Sequence, residues 1–182
     1  MVEEVGCSGG ASGAHVVLAG PRAAGKTTIG NLLASSCDLS FIDLDDRALS
    51  RFQETSVKQV WETHGETAWR EAEVASLQEV LAEAPCVIAL GGGVPTIPSA
   101  RDMLAASASV VIWLKADSSI LAARLEAEEG DRPSLTGLSP AEEIAEVCRR
   151  RAADYEVIAD HVIDTGSENC EMIAQSIKSM LA

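Results

Sequence analysis

The chain has 182 residues, 47% of them hydrophobic and 23% charged, a composition ordinary for a globular protein that buries its own core. A formal net charge of −14 speaks against a nucleic-acid partner, and no apolar stretch approaches the roughly 18 residues needed to span a membrane. Five cysteines, an odd number with no C-x-x-C pair, argue against a zinc site or a disulfide framework and fit a reducing cytoplasm. His15, His64 and His161 share no metal-ligand spacing. The acidic start, Met1-Val2-Glu3-Glu4, lacks the basic residues of a signal peptide. Residues 1–13 read as a flexible Gly/Ser-rich lead-in and 14–182 as one domain.

The first strand-length apolar run, 15–19, leads directly into Gly20-Pro21-Arg22-Ala23-Ala24-Gly25-Lys26-Thr27. This is G-x-x-x-x-G-K-[S/T], and a helical pattern over 26–36 follows it, with Ile29, Leu32 and Leu33 on one face. Glycines let such a loop curl until successive N–H groups point at phosphate oxygens, and the helix N-terminus adds partial positive charge. Gly20, Arg22, Ala23, Ala24, Gly25, Lys26, Thr27 and Thr28 are the expected contacts of a nucleoside triphosphate. Lys26 reaches the β- and γ-phosphates and the Thr27 hydroxyl holds Mg²⁺. The competing reading, a glycine turn with a solvated lysine, leaves the flanking strand and helix unexplained.

A second strand begins at Phe41 and ends in Asp43-Leu44-Asp45-Asp46. Asp43 and Asp45 are two apart, so on a strand both point to one side, where one could serve Mg²⁺ and the other an attacking hydroxyl. A solvated acidic turn with an Asp N-cap fits the same residues equally well. Helical patterns follow over 46–53 and 57–82, the second broken near Gly65. In Trp69-Arg70-Glu71-Ala72-Glu73, Arg70 and Glu73 share a helix face. A surface ion pair is the plainer reading, and an arginine braced to grip a carboxylate is the functional one.

The third strand, 86–90, runs into Gly91-Gly92-Gly93, which reads either as a plain loop or as a place where a ligand can approach main-chain N–H groups. A helix over 98–106, a strand over 109–114 and a helix over 117–127 come next. The polar stretch 128–138 has the composition of a mobile lid (about 127–139), with Arg132 able to close on phosphates. A helix over 140–157 carries Arg149-Arg150-Arg151 and Tyr155. A last strand over 161–164 and a helix over 168–181 complete the chain. Five strands alternating with helices predict an α/β fold with a parallel sheet covered on both faces and ligands beyond the strands' carboxyl ends.

In this order the motifs resemble the shikimate kinase family, part of the nucleoside-monophosphate-kinase-like P-loop group. The resemblance rests on 20–27, Phe41/Asp43/Asp45, Trp69-Arg70/Glu73, Gly91–Gly93, Arg132-Pro133 and Arg151/Tyr155. It implies a three-layer P-loop NTPase sandwich with a five-stranded parallel sheet, a substrate-binding region at about 44–83 and a mobile lid. The reaction implied is transfer of the ATP γ-phosphate to the 3-hydroxyl of shikimate, with Mg²⁺ as cofactor, in a cytoplasmic monomer. By the same resemblance, Lys26, Asp45 and Arg132 are catalytic, and Thr27 and Asp43 serve the metal. Asp45, Arg70, Glu73, Gly91, Gly92, Gly93 and Arg151 bind shikimate, and Arg124 lies near the nucleotide. Trp69 stands where the family more often has Phe.

A kinase for another small hydroxy acid such as gluconate would share the P-loop without needing the Arg70, Gly91–Gly93 and Arg151 set. A nucleoside monophosphate kinase fits the D-x-D and glycine triplet poorly. A GTPase would show N-K-x-D and D-x-x-G, and neither occurs in the chain. A non-catalytic nucleotide-binding regulator would have no reason to keep every expected catalytic position filled.

Overall fold

The computed structural model describes residues 13–127 and 140–181. Five strands, β1 (His15–Ala19), β2 (Ser40–Asp43), β3 (Cys86–Ala89), β4 (Ser109–Lys115) and β5 (His161–Asp164), form one sheet in the order β2-β3-β1-β4-β5. Every neighbouring pair is parallel, with β1 central between β3 and β4. Among the described residues seven α-helices connect and cover the strands: α1 (Lys26–Cys37), α2 (Leu44–Leu49), α3 (Val57–Val80), α4 (Pro98–Ala106), α5 (Ser118–Ala127), α6 (Pro140–Ile158) and α7 (Cys170–Leu181). This is the expected α/β architecture.

The period-two alternation of a strand explains the layering. Val16, Leu18, Val87, Ile112 and Leu114 face one side and pack on Ile29 and Leu33 of α1, Leu121 of α5, and Ile173 and Ile177 of α7. Val17, Ala19, Ile88, Leu90, Val111 and Trp113 face the other and meet Leu77 and Val80 of α3, Leu104 of α4 and Tyr155 of α6. Both faces of β1 are therefore buried, as its unbroken apolar run requires. A third, smaller cluster joins Ala48 of α2 to Val60, Trp69 and Ala72 of α3. It holds the α2–α3 pair together as a unit beside the sheet.

Within α3 the helical phase is broken at Gly65 (φ 82°, ψ 168°), as its sequence position suggests. Ser56 caps the start of α3 by accepting from the Gln59 N–H. Helix α2 begins at Leu44, two residues earlier than the sequence pattern suggests, because the Asp43 carboxylate accepts from the Asp45 N–H at 3.1 Å. Asp45 thus lies in the first turn of a helix. Strand alternation, the reason given for placing it beside Asp43, does not apply to it.

Candidate active site

The loops at the carboxyl ends of β1, β2 and β3 converge on one cleft. After β1 the chain passes through Gly20 (φ 148°), Ala23 (φ 59°) and Gly25 (φ 89°). A side chain at Gly20 would sit 2.5 Å from the Leu114 carbonyl, so only glycine lets the loop press against β4. Ala23 holds a left-handed conformation costly for an L-residue, the kind of local strain that collects at functional loops. Gly25 ends the loop as the N-cap of α1, with no side-chain cap and no acidic residue in the first turn. The first N–H groups of α1 are therefore left to an anion. The Lys26 ammonium folds back over the loop and donates to the carbonyls of Gly20 (2.9 Å) and Pro21 (2.8 Å).

Asp43 does two jobs at once. One carboxylate oxygen caps α2, and the other accepts from the Thr27 hydroxyl at 2.9 Å. The cap reading of this aspartate is realised, and its second oxygen is joined to the phosphate loop through Thr27. Asp45, two residues on in the first turn of α2, packs with Glu73 against Gly91, where a Cβ would strike both carboxylates.

Glu73 is only 1% exposed, an unusual position for a carboxylate. Burial pushes its pKa up, against the opposing pull of Arg70, and nearby Asp45 adds to the rise. Arg70 donates from Nη1 to Glu73 at 2.7 Å and from Nη2 to Glu66 at 2.9 Å, and its guanidinium lies 5.7 Å from the Trp61 ring centroid. Burial opposes the Arg70 charge, but the two glutamates outweigh it and hold the guanidinium more firmly protonated than usual. The guanidinium also lies directly against Gly93, so that any side chain there would overlap it. Gly91 and Gly93 have negative φ or ordinary backbone and are required for space, not conformation.

From the opposite wall, α6 contributes Arg151, whose Nη1 donates to the Gly92 carbonyl at 3.0 Å. Arg149 and Arg150 turn outward to Glu146 at 2.8 and 2.5 Å, so the structure separates Arg151 from its two neighbours. The resulting cleft encloses about 480 Å³ including its open mouth, within the usual range for small-molecule sites. Asp45, Arg70, Glu73, Gly92, Gly93 and Arg151 line it. So does Arg22, expected among the ATP contacts, which gives the phosphate loop and the arginine pair a shared wall. Val57, Trp61 and Trp69 supply an apolar surface.

Trp61 escaped the sequence reading. It stands two helical turns before Trp69, and the break at Gly65 destroys the phase that would have put the two on one face. Arg124 donates to the carbonyls of Ala23 (3.2 Å) and Thr165 (2.6 Å), tying the phosphate loop to the turn after β5. Arg132 and nearly all of the expected lid lie outside the described residues.

A family model described as shikimate kinase matches residues 22–182. The shikimate kinase 2 of Escherichia fergusonii is 37% identical over 166 residues, which cover 90% of each chain. A shikimate kinase from Acinetobacter baumannii, solved in complex with shikimate, superimposes with a TM-score of 0.82 at 27% identity over 92% of each chain. That of Bacteroides thetaiotaomicron gives 0.83 at 27% identity, covering 92% of this chain and 98% of its own. The range matched by the family model runs from Arg22 in the phosphate loop to residue 182, and so includes α3 and α6. The chain belongs to the shikimate kinase family.

Proposed function

We propose that the chain transfers the γ-phosphoryl group of ATP to the 3-hydroxyl of shikimate, giving 3-phosphoshikimate and ADP. The observation that carries this reading is the convergence of Arg22, Arg70 and Arg151 with Asp45 in one cleft beside the phosphate loop. Three guanidinium-bearing residues in a protein of net charge −14 suit a small acceptor with a carboxylate, and Asp45 suits a hydroxyl.

In this reading the acceptor carboxylate is held between Arg70 and Arg151, and the ring packs on the Trp61 and Trp69 side. Asp45 accepts the hydrogen of the ring hydroxyl and orients its oxygen toward the γ-phosphorus. The new O–P bond forms as the β–γ bridging bond breaks, ADP leaves, and the hydroxyl proton passes to Asp45 or solvent. Little covalent help is needed, so alignment and charge neutralisation supply the rate. Lys26 leaves the Gly20 and Pro21 carbonyls to meet the transferring group, and Arg132 completes the positive charge around it.

The Thr27 hydroxyl and Asp43 carboxylate, 2.9 Å apart, are the hard oxygen donors Mg²⁺ takes. Among the described residues no cluster of three or more His, Cys, Asp or Glu side chains makes an all-protein cage. That donor set fits an ion bound mainly by nucleotide phosphates and water, with Thr27 and Asp43 as its protein contacts. When bound, Mg²⁺ neutralises charge on the β- and γ-phosphate oxygens.

We take the enzyme to be a cytoplasmic monomer; among the described residues no helix is long and apolar enough to cross a membrane. A coupled ADP-release assay with ATP and Mg²⁺ tests the acceptor, offering shikimate, gluconate and nucleoside monophosphates in parallel. Turnover with shikimate alone is expected. Turnover with another acceptor and not with shikimate would overturn the reading.

A further inference from the structure

Tyr155 is 1% exposed, yet its hydroxyl reaches the edge of the cleft and donates to the Gly92 carbonyl at 2.7 Å. Arg151, one turn earlier on α6, donates to the same carbonyl oxygen at 3.0 Å. The i,i+4 spacing puts both donors on one helix face. The tyrosine ring is seated in the core, stacked on Trp113 of β4 with centroids 5.5 Å apart and planes 21° from parallel. A second clamp holds the next turn of chain to α6, because Arg101 donates to the Pro95 carbonyl and to Asp154, each at 2.9 Å. The glycine segment is thus held against α6 by Arg151 from within the cleft, by Tyr155 from the core beside it, and through Arg101 one turn on.

The Gly92 carbonyl and the Gly93 N–H are two ends of one planar trans peptide, so fixing the first fixes the direction of the second. The carbonyl is drawn toward α6, which turns the Gly93 N–H the opposite way. Among the described residues no main-chain carbonyl accepts from the Gly92 or Gly93 N–H, whereas the following Val94 N–H is taken by the Gly91 carbonyl. Two donors on one carbonyl also polarise the peptide, making its N–H a stronger donor. Burial raises the Tyr155 pKa far above neutrality, so the hydroxyl keeps its proton.

We propose that Tyr155 is a positioning residue for the acceptor carboxylate, acting with Arg151 to aim and polarise the Gly92–Gly93 peptide so that the Gly93 N–H is a fixed donor to that carboxylate. The role rests on the reading of the cleft as a carboxylate site. Arg151 is divided between the Gly92 carbonyl and the ligand, whereas Tyr155 is committed to the carbonyl. The glycine segment therefore stays in place when Arg151 turns to the substrate.

Tyr155→Phe keeps the ring and its stacking and removes only the hydroxyl. Its kinetics are compared with wild type on shikimate and on methyl shikimate, in which the carboxylate charge is masked. The expected result is a KM for shikimate raised about 3- to 10-fold, the effect of one net hydrogen bond, with kcat and the KM for ATP nearly unchanged. The KM for the ester, already weak in wild type, should hardly move. Equal losses on both acceptors, or no change in the KM for shikimate, would overturn the role. If wild-type enzyme used ester and acid equally well, the carboxylate reading itself would fail, a different outcome. Should Tyr155→Phe not fold, Trp113→Phe, which loosens the seat of the tyrosine ring, should give a smaller acid-selective loss; an unselective loss there would count against the role.

Discussion

Arg70 and Glu73, three residues apart on α3, are joined at 2.7 Å with the carboxylate almost wholly buried. A pair on a helix surface contributes little, but this one fixes a guanidinium that lines the cleft. Glu73→Ala should raise the KM for shikimate by about 10- to 100-fold, the range of a lost charge-assisted contact. It should also cost about 2 kcal/mol of stability, since the partly buried arginine keeps Glu66 but loses its buried partner. Steady-state kinetics and thermal unfolding check both. An unchanged KM would mean that the pair serves the fold and not the acceptor.

The three glycines should differ sharply when replaced by alanine. At Gly93 a Cβ would overlap the Arg70 guanidinium, and at Gly91 it would strike Glu73 and Asp45. At Gly92 the nearest atoms, the Gly20 carbonyl, Arg151 and the Tyr155 hydroxyl, are 3.6 to 3.7 Å away, ordinary contact. Gly93→Ala and Gly91→Ala are expected to lose kcat/KM by at least about 100-fold, since a displacement of about 1 Å in a positioning group has that effect. Gly92→Ala should retain much more activity. Parallel kcat/KM measurements give the order directly.

Thr27 and Asp43 share a hydrogen bond but not a structural role, which allows the proposed metal function to be separated from the fold. Thr27→Ala and Asp43→Ala should both raise the Mg²⁺ concentration giving half-maximal rate. Only Asp43→Ala removes the cap of α2, at a cost of about 1 kcal/mol, or a Tm lower by about 2–4 °C for a chain of this size. Mg²⁺ titration and calorimetry together test the division.

How much of this site could be read from the chain depends on what each residue's neighbours reveal. The five strands follow from apolar runs bounded by turns, and the phosphate loop follows from spacing alone. Arg151 could not be told from Arg149 and Arg150 by charge, because only tertiary packing sends two of them to Glu146 and one to Gly92. The start of α7 at Cys170, two residues later than the pattern suggests, is set by Asn169, whose side chain accepts from the Met172 N–H. Trp61 was hidden by the break at Gly65, and the place of Arg22 along the cleft depends on how the phosphate loop meets α3 and α6. Arg151 and Arg22 are placed by long-range contacts, whereas the Gly65 break and the Asn169 cap are local features.

The start of β3 carries a pH-dependent element away from the cleft. Burial, and then Glu83, push the Cys86 thiol from 9.0 up to about 11, and its Sγ lies 3.3 Å from His15 Nδ1 in the core. Between those values the folded state keeps a proton that the unfolded chain releases. The contribution is therefore intact below pH 9 and is lost as pH rises toward 11, by about 2–3 kcal/mol. Denaturant unfolding of wild type and Cys86→Ala from pH 8 to 11 should show the difference between the two curves shrinking over this interval. A constant difference would mean that Cys86 does not titrate as a buried thiol.

The central claim is that the phosphoryl group goes to the acceptor held by Arg70 and Arg151. Phosphorus NMR of the protein with ATP, Mg²⁺ and shikimate reads its destination directly. A single new phosphate monoester, coupled to the C3 proton of the ring and formed in step with ADP, is the predicted result. Release of inorganic phosphate alone, or a monoester on another hydroxyl, would contradict the account.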